Sequence, residues 1–175
     1  MTVQPDNNKI DMKPESKGPM PDYLKRLPGH VQAIQEMMDT IIANIVLIGQ
    51  VPAPTFLEGA RVDLFLERMA ASAVDECTTD GYNNPIGIIR GTSQDLPPIF
   101  VVAHIDTAFG KDVDHHFSIS QNTISGAGLQ DNSLGVGILV SLPHILQQLG
   151  LKFRSDIVLA GVIQSIGRGN LRGIR

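Results

Sequence analysis

The protein has 175 residues, of which 42% are hydrophobic, and a net charge of −4 from 14 basic and 18 acidic side chains. A chain of this length buries a full core, and its acidic balance argues against a general nucleic-acid binder, which carries a strong excess of Lys and Arg. Its one cysteine, Cys77, excludes an intrachain disulfide, which suits a reducing compartment. The absence of targeting signals leads us to expect a cytoplasmic location.

The N-terminal stretch, residues 1–28, holds five prolines among polar side chains. This composition predicts a flexible leader ahead of one domain over residues 29–175. The stretch lacks the apolar segment of a secretory signal. The longest apolar run, residues 41–49, is far shorter than the ~20 residues of a membrane span and contains Asn44, so we expect no membrane segment.

Two helices are predicted after the leader. Apolar residues spaced by three and four over residues 31–48 predict the first helix, which Gly49 ends. Thr55 and Glu58 have the spacing of a capping box, in which the first side chain caps the helix and the second reaches back. They predict a second helix over about residues 56–72.

Four strands, one hairpin and one long helix are predicted over the rest of the chain. The run at residues 98–104 is continuously apolar, which is typical of a strand covered on both faces. Strands that alternate with helices predict an α/β fold with a largely parallel sheet flanked by helices. The elements are strands at residues 74–80, 85–91, 98–104 and 155–165, a hairpin at 117–125, and a helix at 132–149 that contains Pro143.

Polar residues follow two of these elements, where functional groups of open α/β sheets collect. His104 ends a strand and Asp106 lies two residues on, which suits a metal-binding imidazole and the carboxylate that takes its other N–H. The pair alone does not separate a metal ligand from an ordinary polar strand end. Asp131 is by itself either a helix N-cap or, after Gly126 and Gly128, part of a dinucleotide loop, where its charge would repel a pyrophosphate.

Four segments in this order resemble one family: PAPTF with Glu58, AHIDT, SGAGLQDNSLGVG and GRGNLRG. They are similar to the co-catalytic zinc exopeptidases, which include peptidase T-like tripeptidases, glutamate carboxypeptidase and aminoacylases. The resemblance implies part of a zinc-exopeptidase-like catalytic domain, two zinc ions, and a small peptide or an N-acyl amino acid as substrate. It also implies that His104 is a zinc ligand, that Asp106 orients it, and that Asp131 bridges two metals.

The resemblance further implies two adjacent glutamates after the last strand, one a general base and one a zinc ligand. Those positions hold Ser165 and Ile166, which can do neither task, so the resemblance implies an inactive or incomplete enzyme. The remaining ligands of the family are expected beyond residue 175. His115 and His116 have no counterpart as ligands and are expected to be exposed. The glycines that frame the site by this resemblance are Gly126, Gly128, Gly135, Gly167 and Gly169.

Two other functions stay open. An unfinished sheet has a free edge and an uncovered apolar face, which suit an interaction module that pairs with a second copy or with a separately encoded C-terminal half. A phosphate or nucleic-acid binder is favoured only by Arg168, Arg172 and Arg175, which lie close together near the C-terminus.

Overall fold

Two helices, α1 (Asp22–Glu36) and α2 (Met38–Gly49), begin the part of the protein that the computed structural model describes, residues 22–175. The apolar spacing predicted a single helix over residues 31–48. The chain instead bends by 54° between the two helices, and Met37 leaves helical geometry with φ −92° and ψ 0°. The prediction missed the bend because the spacing of three and four continues through it.

Helix α1 includes residues that the sequence assigned to the leader. Residues 22–28 are helical, with Pro28 inside the helix, whereas residues 1–21 lie outside the described residues, so the leader remains a prediction there. Within the described part of the chain, no single helix is long and apolar enough to cross a membrane. Only α1 and α2 taken together, across their bend, have that length and composition.

The central sheet has four strands in the order β1-β2-β6-β3. Strand β3 runs parallel to β6, whereas β2 runs antiparallel to both β1 and β6. The α/β class is confirmed, but the sheet is mixed rather than largely parallel, because the short connection between β1 and β2 makes a hairpin. The elements are β1 (Glu76–Thr79), β2 (Pro85–Ile89), β3 (Ile99–His104), β4 (Ser118–Ser120), β5 (Thr123–Ser125), β6 (Ile157–Val162), α3 (Gly59–Ala70) and α4 (Leu134–Gln148).

The main core lies between this sheet and the helices α3 and α4, with α2 packed on α4. Phe65 of α3, Val136 of α4 and Leu159 of β6 are fully buried in it. Helix α2 approaches α4 closely at Gly137, where a Cβ would lie 2.5 Å from the Cα of Ile45. Only glycine at this position therefore allows the two helices to pack so closely.

Strand β3, at one edge of the sheet, is covered on one face only, which corrects the prediction that it is covered on both faces. Its apolar side chains Ile99, Phe100 and Val102 are 47%, 64% and 45% exposed. Val101 and Ala103 lie on the opposite face from Phe100 and Val102 and pack against the core. The sequence of β3 is apolar throughout, yet the helices cover only one of its faces. Hydrophobicity alone therefore did not indicate how many faces are buried.

The predicted hairpin is present as β4 and β5, with the turn at Gln121 and Asn122. Phe117, which precedes β4, is buried and attaches the hairpin to α2. Its ring fills the space beside two glycines. A Cβ on Gly49 would lie 2.2 Å from the ring, and a Cβ on Gly126 would lie 2.1 Å from it.

The turn between β1 and β2 is held by Asp80. Its carboxylate accepts hydrogen bonds from the backbone N–H groups of Tyr82 (2.8 Å) and Asn84 (2.9 Å) and from Asn84 Nδ2 (2.8 Å). Asn84 in turn accepts from the N–H of Ile163 at 2.9 Å and donates to the carbonyl of Gly173 at 2.6 Å. The turn is therefore joined to the end of β6.

We expect Asp80→Ala to lower the free energy of unfolding at neutral pH by about 1–3 kcal/mol, because three donors lose their acceptor. Burial alone raises the pKa of Asp80, but the hydrogen bonds from Asn84 and Tyr82 outweigh it, so the pKa lies below its ordinary value. The stabilisation is therefore complete above about pH 4 and is lost as pH falls through the lower folded pKa.

Urea unfolding at pH 7 and at pH 3 measures both effects. The variant is expected to differ from the wild type clearly at pH 7 and less at pH 3. An equal difference at the two pH values would show that the carboxylate charge is not what holds the turn.

Candidate functional site

The three residues that the sequence singled out as a metal centre come together at the end of β3. His104 Nδ1 lies 3.0 Å from the backbone oxygen of Asp106 and 3.5 Å from its Oδ1. On the other side of the ring, His104 Nε2 lies 2.9 Å from Asp131 Oδ1. The imidazole is therefore placed between a buried carboxylate and one that is 69% exposed.

Asp106 is completely buried and contacts three other segments of the site. Its Oδ2 accepts hydrogen bonds from Thr55 Oγ1 (2.9 Å) and from the backbone N–H groups of Ser165 (2.8 Å) and Ile166 (2.9 Å). Burial raises the pKa of Asp106, but the contacts with His104 and these three donors outweigh it and lower the pKa. Asp106 is therefore a carboxylate at neutral pH.

The contacts of His104 define its tautomer. A carbonyl oxygen can only accept, so Nδ1 carries a proton and donates a hydrogen bond to the backbone carbonyl of Asp106. The Asp106 side chain is the largest cause that raises the pKa of His104 above its usual value. Once the ring is neutral, Nε2 and Asp131 Oδ1 are two acceptors 2.9 Å apart. Such a pair is stable only with a proton or a cation between them.

Asp131 makes this contact because the chain before α4 does not start as a regular helix. Residues Leu129–Ser133 form a wide turn in which Asp131 has φ −136° and ψ 81°, and the bond from Asp131 to Asn132 is cis. Helix α4 begins at Leu134, and its N-cap Ser133 makes no side-chain capping bond. The interpretation of Asp131 as an ordinary N-cap is therefore wrong, since its carboxylate contacts His104.

The two positions assigned to glutamates lie beside Asp106, but their side chains bring no carboxylate. Ser165 is buried and its hydroxyl lies 3.4 Å from the carbonyl of Val162 and 3.5 Å from that of Ile163. Ile166 is partly buried and apolar. Ser165 and Ile166 therefore contribute backbone N–H groups that bind the Asp106 carboxylate.

The glycines of the site differ in what they contribute. A Cβ on Gly128 (φ +70°) would lie 2.8 Å from Thr107 Oγ1, and one on Gly135 would lie 2.4 Å from Asn132 Oδ1. Gly169 lets its loop fold back on Gln164, whose carbonyl oxygen would lie 2.3 Å from a Cβ. Gly167 has φ +52° and open space around it, so backbone geometry rather than crowding favours glycine there. Gly126 faces Phe117 instead of the site.

Thr55 and Glu58 do not form the predicted capping box. Helix α3 begins at Gly59, and Glu58, its N-cap residue, makes no side-chain capping bond. Thr55 donates to Asp106, and Glu58 Oε1 accepts from the N–H of Gln164 at 2.9 Å. Both side chains serve contacts distant in sequence, which outweigh the local pairing that their spacing suggested.

Arg61 is the main residue of this region that the sequence analysis missed. Its side chain is 1% exposed and donates to the carbonyls of Val51 (2.5 and 2.8 Å), Ile105 (3.0 Å) and Gly49 (3.4 Å), and to Ser133 Oγ (3.5 Å). Burial lowers the pKa of Arg61 to about 10, although the charge of Asp106 opposes this. The guanidinium thus connects the segments that carry Asp106 and Asp131. A charged residue in the first turn of a helix gives no sequence signal for such a role.

The remaining predicted residues lie apart from this site. His116 is exposed as expected, but His115 is buried, with Nε2 2.9 Å from the carbonyl of Gly110. His115 lies just before buried Phe117, which carries it inward with the start of the hairpin. The three arginines near the C-terminus are exposed: Arg168, Arg172 and Arg175.

The donor set can be compared with what zinc requires. His104 Nε2 and Asp131 Oδ1 are close enough to share a cation, and Asp106 fixes the imidazole as in many zinc sites. A zinc ion, however, takes about three or four protein ligands. Among residues 22–175, no group of three or more His, Cys, Asp or Glu side chains is placed to hold a metal. These residues therefore do not fit a complete zinc centre.

No known protein family matches the sequence, and no curated protein is similar to it at a significant level. Solved structures are similar in fold. Aminopeptidase PepT from Bacillus cereus has a TM-score of 0.59 at 16% identity, over 71% of this chain and 36% of its own. The di-peptidase Dug1p from Saccharomyces cerevisiae has 0.58 at 14%, over 77% and 34%. Aminoacylhistidine dipeptidase from Vibrio alginolyticus has 0.51 at 20%, over 71% and 27%.

These similarities concern a part of each relative. The chain spans about a third of the length of the first two structures. At identities of 14–20% they establish the fold and leave the chemistry to the side chains of this chain. The α/β fold of this protein is the one found in these aminopeptidase and dipeptidase chains, as the resemblance in its motifs implied.

Proposed function

We propose that this protein is a peptidase-like hydrolase domain that carries one part of a dinuclear zinc centre and that does not hydrolyse peptides by itself. The observation that supports this most directly is the contact of His104 with Asp131 above the buried carboxylate of Asp106. Nothing in the core requires an exposed carboxylate to lie against an imidazole. Both side chains have the chemistry and the spacing of metal donors.

The proposed lack of activity rests on Ser165 and Ile166, which occupy the positions of the two expected glutamates. General-base catalysis contributes typically 10²–10⁴-fold to the rate, and a hydroxyl that faces backbone carbonyls has no useful basicity. Isoleucine has no donor atom for a metal. If the missing groups came from elsewhere, the substrates that suit this fold would be small peptides or N-acyl amino acids.

Metal analysis and a peptidase assay on the purified chain test the proposal. We expect less than stoichiometric zinc and no hydrolysis of di- or tripeptides, because two donors leave a zinc ion with too few protein ligands. A content near two zinc ions per chain, together with activity that a chelator removes, would contradict it.

A double variant, Ser165→Glu with Ile166→Glu, serves as a matched control. It restores both carboxylates of the resemblance but leaves the other expected ligands absent. We expect it to bind zinc more tightly than the wild type and still to lack peptidase activity. Activity in this variant alone would show that the two substitutions are the whole cause of inactivity.

A second candidate function is an interaction module, which the free edge of β3 favours. Ile99, Phe100 and Val102 are exposed there, and edge strands with apolar side chains pair readily with another chain. The partner would be a second copy or a separate C-terminal half that brings further ligands to His104. Light scattering separates the two candidates, since a stable oligomer without zinc or activity supports the module.

A further inference from the structure

A cavity of about 480 Å³ lies between α2, the last turn of α3 and α4. It is separate from the candidate site, because Arg68 is ten residues along α3 from Glu58, or about 15 Å at 1.5 Å per residue. Arg68 and His144 line the cavity, and no Asp or Glu among the described residues does. Its lining is therefore basic and polar.

Arg68 is partly buried and lacks the partners that a guanidinium in such a place normally has. Its Nε is buried without a hydrogen bond, and within residues 22–175 its side chain forms no ion pair. The contrast with Arg61 on the same helix is clear, since carbonyls and a hydroxyl surround that guanidinium. A buried N–H without an acceptor costs about 1–3 kcal/mol. Arg68 also lines the cavity, and the planar donors of a guanidinium suit an oxyanion there.

Asn44 adds an acceptor to the same cavity. Asn44 is buried, with only 4% of its residue surface exposed. Ser141 Oγ donates to the carbonyl of Gly137 at 2.7 Å, so it must accept from Asn44 Nδ2 at 2.9 Å. This fixes the orientation of the amide and leaves Asn44 Oδ1 without a donor among the described residues, while Asn44 lines the cavity. The lining therefore includes both a cation and an acceptor.

We propose that this cavity binds a small oxyanion that carries its own hydrogen-bond donor. The oxyanion lies on Arg68, and the donor of the ligand binds Asn44 Oδ1. Two kinds of molecule have this chemistry: phosphate or a phosphate monoester in the form that keeps a proton, and an amino acid with its carboxylate and ammonium groups. Sulfate has the same shape and charge type as phosphate but no proton at neutral pH, so it lacks the donor.

Calorimetric titration of the full chain with inorganic phosphate, sulfate and glycine at low salt tests the proposal. We expect saturable binding of phosphate or of glycine, and the one that binds identifies the source of the oxyanion. Sulfate is expected to bind at least about tenfold more weakly than the ligand that binds, because its oxygen meets Asn44 Oδ1 without a proton between them.

Variants of Arg68 locate the binding. Arg68→Gln is expected to weaken it by about tenfold or more, Arg68→Lys less, and the exposed control Arg154→Gln not at all. Circular dichroism verifies that each variant is folded. The proposal is overturned if neither phosphate nor glycine binds saturably, if sulfate binds as tightly as they do, or if folded Arg68→Gln retains wild-type affinity. Metal content and peptidase activity play no part in these readouts, so the outcome is independent of the proposed function.

Discussion

Arg61→Met is expected to lower the free energy of unfolding by at least about 3 kcal/mol, a large share of the stability of a domain of this size. Methionine fills much of the space but donates no hydrogen bond. The carbonyls of Val51 and Ile105, both bound by the guanidinium, lose their donors in a buried environment. Urea unfolding followed by circular dichroism measures the loss.

Arg154→Met is the matched control, because Arg154 is exposed and its side chain makes no hydrogen bond to the described residues. We expect it to change the stability by less than about 0.5 kcal/mol. If the two variants were equally stable, the network around Arg61 would contribute little, and the placement of Asp106 and Asp131 would need another cause.

Asp106→Ala is expected to cost about 3–5 kcal/mol of folding free energy. The carboxylate accepts one hydroxyl and two backbone N–H groups, and alanine leaves the N–H groups of Ser165 and Ile166 without an acceptor. These bonds join the loop after β6 to the segment that follows β3. Hydrogen exchange of the two amides, together with urea unfolding, measures the effect.

Asp106→Asn separates the acceptor from the charge. It keeps one carbonyl oxygen for the three donors, but its NH₂ group then faces the Nδ1–H of His104, so we expect a loss of about 1–2 kcal/mol. Protection of the Ser165 and Ile166 amides should remain close to that of the wild type. Equal losses in the asparagine and alanine variants would mean that the charge, and not the acceptor, holds the loop.

The elements of the fold followed from sequence patterns more readily than their arrangement did. The hairpin at residues 117–125 and the strand at 155–165 were predicted close to their observed positions, because turn chemistry and apolar runs are local signals. The exposure of β3 was not predictable from its residues. Which faces of a strand are covered depends on where the helices pack, and that is a property of the whole domain.

The candidate site was likewise predicted where local motifs exist and missed where contacts are long-range. His104, Asp106 and Asp131 were identified because their motifs are specific, and the structure brings them into contact. Thr55 was identified by a local pattern and given the wrong role. Arg61 gave no signal at all, because its partners are backbone carbonyls, which every residue has and which no motif records.

Phe117 has a consequence for how this sequence can change over evolution. Its ring occupies the space that a side chain at position 49 or at position 126 would need. Alanine at either glycine is excluded while the ring is present, and loss of the ring leaves a void that alanines would partly fill. The three positions are therefore expected to vary together among homologues, as a covarying set that links α2, the hairpin and the loop before Asp131.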